Sequence, residues 1–89
     1  MSTVLWVLGL RVAIPVNEHG PAHVHVFEKG KGRKNAGKKA KFFLNCPHGP
    51  VEYYESRGFN LSEISKIGGE LKEALPLLCA EWKKIHGNL

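Results

Sequence analysis

Cysteine is scarce in this 89-residue chain, where Cys46 and Cys79 stand far apart with no C-x-x-C pair. That spacing argues against a disulfide scaffold and against a four-cysteine zinc site, and it makes a reducing cytoplasm the default setting. Long apolar runs are lacking as well. Residues 4–16 are mostly apolar, but Arg11 and Pro15 interrupt them, they are too few to cross a bilayer, and they carry no basic leader. No internal repeat and no long polar tract is present, which excludes a solenoid and wholesale disorder. What remains is a single domain, 1–89, with a modest core, because a chain of this size buries roughly 60–65% of the surface its unfolded form exposes.

Charge is present in excess and unevenly placed. The net charge is +5, and seven of the thirteen basic residues (Lys29, Lys31, Arg33, Lys34, Lys38, Lys39 and Lys41) fall in a stretch without a single acid. Elsewhere six Lys and Arg face eight Glu, so the rest of the chain is slightly acidic. A lysine-rich stretch of this kind can follow a phosphate backbone and release counterions, or contact an acidic protein. Without an accompanying amphipathic face it favours nucleic acid over membrane. Read without a ligand, it is a solvated hairpin tip.

The apolar pattern predicts an α+β protein. Val4 to Val7 and Leu10 to Val16 are rich in aliphatic and β-branched residues around Gly9, which suggests two short strands or one strand with a bulge. Asn17-Glu18-His19-Gly20-Pro21 is a turn signal. Val24 to Glu28 alternates with the strand period, so Val24 and Val26 should face the core while His23, His25 and Phe27 face the other way. Ala40 to Leu44 and Val51 to Tyr54 follow as strands, separated by a turn rich in proline. Asn60 as N-cap, Glu63 three residues on and Phe59 beside Ile64 then predict a helix from Leu61. Its apolar stripe runs Ile64, Ile67, Leu71, Ala74, Leu75, Leu78, Trp82, Ile85. Gly68-Gly69 and Pro76 interrupt the helix, and Lys83, Lys84 and Gly87 end it. The expected architecture is a small antiparallel sheet of three to four strands (1–58, with a basic loop at 29–41) followed by one kinked C-terminal helix or two short helices (59–87) packed on one face.

Three constellations could carry chemistry. His23 and His25 lie two residues apart on one strand face, and His19 can fold back over them from the turn. With His48 or Cys46 added, they would make a site for a divalent metal such as zinc, iron or nickel, or supply His23 and His25 as acid and base. Without a metal, His23 and His25 are half-exposed strand residues, one ring hydrogen-bonded to the turn backbone and the other packed beside Phe27 or Tyr53. Two motifs fail on residues: Glu28 comes too early for a cupin, and a histidine triad needs histidine where Phe27 stands. The basic loop lacks the ending of a phosphate loop after Gly30-x-Gly32. Cys46 beside His48 has no third orienting group for nucleophilic catalysis, and Cys79 fits the apolar side of the helix. Finally, Phe42, Phe43, Tyr53 and Tyr54 come in adjacent pairs, so one of each pair should face out. An exposed aromatic near the basic loop would support stacking on bases or a protein partner.

Taken in order, Thr3-Val4-Leu5, the N-x-H-x-P-x-H-V-H-V run from Asn17 to Val26, Ala40-Lys41-Phe42, Pro50-Val51, Gly58-Phe59, Leu61-Ser62-Glu63-Ile64, Leu78 and Glu81-Trp82 resemble the small bacterial domain-of-unknown-function family four-one-six-zero. The resemblance covers nearly the whole chain, and the P-x-H-V-H-V run is its most specific part. It implies a compact α+β protein, often encoded beside another short protein and sometimes labelled a toxin–antitoxin component. It transfers no catalytic residue. His19, Pro21, His23, Val24 and His25 occupy its signature positions, Ala22 replaces a common proline, and the lysine-rich excursion is longer than is typical. The resulting expectation is a cytoplasmic bacterial or phage-borne binding module rather than an enzyme. It has a protein partner, DNA or RNA as further candidates, a homodimer as an option and no membrane. The contact residues are His19, His23, His25, Lys29, Lys31, Arg33, Lys34, Lys38, Lys39 and Lys41. The rivals are a small metal-dependent or histidine-based enzyme such as a ribonuclease-like toxin, with His19, His23, His25 and His48 as ligands, and an inhibitor of a host nucleic-acid machine.

Overall fold

Leu8 and Gly9 both adopt positive φ, 52° and 77°. A two-residue turn with that backbone joins antiparallel strands whose twist it matches. It turns the N-terminal apolar run into a hairpin of β1 (Ser2–Val7) and β2 (Leu10–Ile14). The computed structural model describes residues 2–28 and 37–87. Beyond the hairpin come β3 (His23–Phe27), β4 (Lys39–Phe43), β5 (Glu52–Arg57), α1 (Leu61–Glu73) and α2 (Leu75–His86). The strands form one antiparallel meander in the order β1-β2-β3-β4-β5. The fold is therefore α+β as expected, with five strands instead of three to four. The difference lies at Gly9, which sits in a turn and not in a bulge, so the first run contributes two full strands.

One face of the sheet supplies the core. Val12, Ile14, Val24, Val26, Ala40, Phe42 and Leu44 are buried against Ile67 and Leu71 of α1 and Leu75, Leu78, Cys79 and Trp82 of α2. Val24 and Val26 point inward, as the alternation requires. Helix α1 starts where the capping pattern places it. The Asn60 side chain accepts from the Glu63 N–H at 2.8 Å, and Glu63 accepts from the Asn60 N–H at 2.9 Å.

The expected interruption is a division into two helices at Ala74, the last residue of one cap and the first of the next. Pro76 falls in the first turn of α2, where its missing N–H has no helical partner to lose, so the penalty of an interior proline does not arise. Gly87 closes α2 in the left-handed conformation at φ 85°.

Helix α2 lies across the end of the sheet at which β2 stops and β3 begins. The His86 Nε2–H donates to the Pro15 carbonyl at 2.8 Å, and Trp82 stands 5.3 Å from the His23 ring. This path carries Cys79 to Cys46, and the two form a disulfide with their Cα atoms 5.7 Å apart. Contrary to the expectation from their spacing, the two cysteines meet, because a separation of 33 residues says nothing about distance once α2 folds back over the end of β4. The pairing also removes Cys46 as a nucleophile or ligand, and with it the basis on which a reducing compartment was expected. Among the described residues no helix is long and apolar enough to cross a membrane.

Candidate nucleic-acid interface and histidine cluster

The strand register places the remaining side chains on the face opposite α1. Trp6 pairs with Arg11, Arg11 with Phe27, Phe27 with Lys39, and Lys39 with Arg57. A single row thus crosses all five strands as aromatic, cation, aromatic, cation, cation. The next row reads Thr3, Ala13, His25, Lys41, Glu55, and the one beyond it pairs His23 with Phe43 and Phe43 with Glu52. Helix α2 meets these rows at His23, where Trp82 packs on the ring. Apart from Ala13 and His23, their side chains are exposed or half-buried.

The face is built from cations lying over rings. The Arg11 guanidinium is 4.9 Å from the Phe27 centroid, and Lys41 Nζ is 4.9 Å from that of Tyr54 and 5.5 Å from that of Phe43. Tyr54 lies on this face by alternation with Glu52, its ring meets Phe43 edge-on at 5.0 Å, and a register shift at Lys41/Phe42 then brings Glu55 and Arg57 to the same face. Trp6 and Tyr54 remain 55% and 53% exposed. Arg11, Lys39, Lys41 and Arg57 take part in no ion pair among the described residues. A hollow of about 300 Å³ opens between β3, β4 and β5, lined by His25, Lys39, Lys41, Glu55 and Arg57.

The two signature imidazoles have different surroundings. His23 is only 3% exposed, with its Nδ1 2.9 Å from the Pro21 carbonyl and its Nε2 2.9 Å from Glu18 Oε1. It is packed among Trp82, His25 and Phe43, so it is not part of an accessible surface. His25 is half-buried, stacks on Phe27 at 6.1 Å, and brings its Nε2 to 3.3 Å from the same Glu18 oxygen. The hydrogen bond from His23 holds the Glu18 carboxyl below the usual carboxylate range, partly opposed by its desolvation. Burial pulls the His25 imidazole below its ordinary value, against the raising effect of Glu18. One ring bonds the turn backbone and the other packs beside Phe27, as the metal-free reading has it, but His23 is buried beneath Trp82 and not half-exposed.

The other expected site residues scatter. His19 is exposed, with its ring 6.0 Å from that of His86, and His48 lies in the turn before β5, so neither joins His23 and His25. Lys38 is committed to Glu63 at 3.2 Å and sits over Phe59. Lys39 and Lys41 belong to the open face, whereas Lys29, Lys31, Arg33 and Lys34 lie outside the described residues. The structure adds Glu18, which the turn signal had absorbed, and Arg11, Arg57 and Trp6, which only the register brings together.

The chain matches no family model, no curated protein and no solved structure.

Proposed function

We propose that this chain is a small binding module that takes a single-stranded nucleic acid on the open sheet face. The row Trp6-Arg11-Phe27-Lys39-Arg57 is the observation that carries the reading. Proteins that hold single strands combine a cationic track for the backbone with aromatic rings on which bases stack, each stack contributing about 1–3 kcal/mol. Arg11, Lys39, Lys41 and Arg57, which have no ion-pair partner among the described residues, outnumber Glu18, Glu52 and Glu55 and leave the face a small positive excess, while Trp6 and Tyr54 present exposed rings. A broad sheet face suits splayed bases better than a duplex, whose bases are already stacked and whose major groove takes a helix or a two-stranded ribbon. In sequence, Lys29, Lys31, Arg33 and Lys34 add positive charge between β3 and β4. Membership in a paired toxin–antitoxin type of module rests on the resemblance of the Asn17–Val26 signature and is the second part of the proposal.

Trp6 provides a direct readout, because Trp82 is buried and only Trp6 is open to a quencher. Titrating unstructured RNA and DNA oligonucleotides should quench Trp6 and raise the anisotropy of a labelled strand. Tyr54→Ala should weaken binding by about 5- to 150-fold, the range that one lost stack implies. Absence of binding at low salt, or unchanged affinity when Trp6→Ala and Tyr54→Ala are combined, sinks the nucleic-acid reading. Capture of an acidic protein by the same face would replace it.

A further inference from the structure

We propose that Glu18, His23 and His25 form a mononuclear site for a divalent first-row metal ion, zinc being the best match. Their ligand atoms, one from each residue, all lie within 4.8 Å of one another. Glu18 Oε1 is 2.9 Å from His23 Nε2 and 3.3 Å from His25 Nε2. A tetrahedral ion with bonds of about 2.0–2.1 Å sets its ligands about 3.3–3.4 Å apart. Small side-chain rotations therefore separate this arrangement from a coordination shell.

The hydrogen-bond pattern points the same way. The Pro21 carbonyl 2.9 Å from Nδ1 fixes one ring proton of His23 there, which directs the Nε2 lone pair toward Glu18. Two electron-rich atoms at 2.9 Å need something positive between them, either a second proton on the ring or a cation. A backbone carbonyl holding the far nitrogen is the outer support that metal-binding histidines usually have. Trp82 walls the His23 ring and Phe27 stacks on that of His25, so both imidazoles are held by packing. Glu18 is 46% exposed, which leaves the outward position open to water or a ligand. Two imidazoles and one carboxylate suit zinc or iron(II) better than magnesium or calcium, which prefer oxygen. His19 and His48, the other ligands suggested by the sequence, take no part.

The test uses full-length, untagged, metal-stripped protein and zinc chloride at neutral pH, followed by calorimetry and by long-range proton–nitrogen NMR of the histidine rings. One zinc per chain should bind, and the His23 and His25 Nε2 resonances should shift together. Glu18→Gln and His25→Ala should each weaken uptake by about tenfold or more, while His48→Ala leaves it unchanged. Cobalt(II) should give the visible bands of a four-coordinate site. If zinc is not taken up stoichiometrically, if uptake survives Glu18→Gln with His25→Ala, or if His23 keeps protons on both nitrogens at saturating zinc, the cluster is an ion pair only and the proposal falls. Nucleic-acid binding by the metal-stripped protein is scored separately, so failure here leaves the interface reading intact.

Discussion

Removing two cations from the open face should flatten the salt dependence of nucleic-acid binding by a calculable amount. Lys39 and Arg57 are exposed, pair with each other across β4 and β5, and have no carboxylate partner among the described residues. Their joint replacement by alanine should therefore change stability by only about 0.5 kcal/mol or less per site. If Arg11, Lys39, Lys41 and Arg57 each neutralise one phosphate of a single strand, log K falls with log salt at a slope of about −2.8, or about −0.7 per contact. A fourfold rise in salt then weakens binding by about 50-fold. For Lys39→Ala/Arg57→Ala the slope drops to about −1.4 and the same rise in salt weakens binding by about 7-fold. Cations in the 29–36 segment steepen both lines equally, so the difference of about 1.4 in slope survives their contribution. The assay is fluorescence anisotropy of a labelled pyrimidine strand across a salt series, with Lys83→Ala on α2 as a control. An unchanged slope in the double variant, or an equal change in the control, would refute the assignment of this face.

Three further predictions concern the frame that presents the face. Asn60→Ala should destabilise the protein by about 0.5–2 kcal/mol through the lost cap, read from the urea midpoint. The same box has an acid limb. The Asn60 backbone N–H first, and Lys38 next, hold the Glu63 carboxyl below its ordinary value, so its contribution is present above the usual carboxylate range and lost as pH falls through the depressed value. An acid titration of Glu63→Gln should lack that component, and identical acid limbs in the two proteins would contradict it. Breaking Cys46–Cys79 frees a loop of 33 residues' separation, which on the chain-entropy model costs about 3–4 kcal/mol. Reductant should lower the thermal midpoint of the wild type and leave that of Cys46→Ser/Cys79→Ser unmoved.

Much of the frame is legible in local chemistry. The alternation of Val24 and Val26, the Asn60–Glu63 box, the stripe from Ile64 to Ile85 and the closing Gly87 depend on neighbours within a few residues, and each appears where the pattern puts it. What sequence does not carry is distance between remote positions. Cys46 and Cys79 meet because α2 turns back across the end of β4. The row from Trp6 to Arg57 exists only once four registers are set, and Arg57 joins it through a bulge that period-two counting cannot anticipate, whereas the outward Tyr54 follows from alternation. His23 shows the same limit from the other side. Alternation places it on the outward face, but as the first residue of β3 it meets Trp82, and the helix, not the strand period, decides its burial. Glu18 escaped notice because an acid within a turn is ordinary until two imidazoles are seen to converge on it.

Among the described residues two helices cover the five-stranded sheet, and both serve the same core. The uncovered face must then shield its own apolar area, and long cationic side chains do this by laying their stems and charged heads across the rings. Arg11 on Phe27 and Lys41 between Phe43 and Tyr54 are that solution. The arrangement ranks the rings as docking points. A base arriving at Phe27 or Phe43 must displace a cation worth about 0.5–1 kcal/mol at an exposed site, against a stack worth about 1–3 kcal/mol. Trp6 has no cation over its ring among the described residues, so stacking there meets no such opposition. Under the proposed function Trp6 is therefore the first ring to be occupied and Phe27 a later one, with Arg11 moving from ring to phosphate as the strand is laid down.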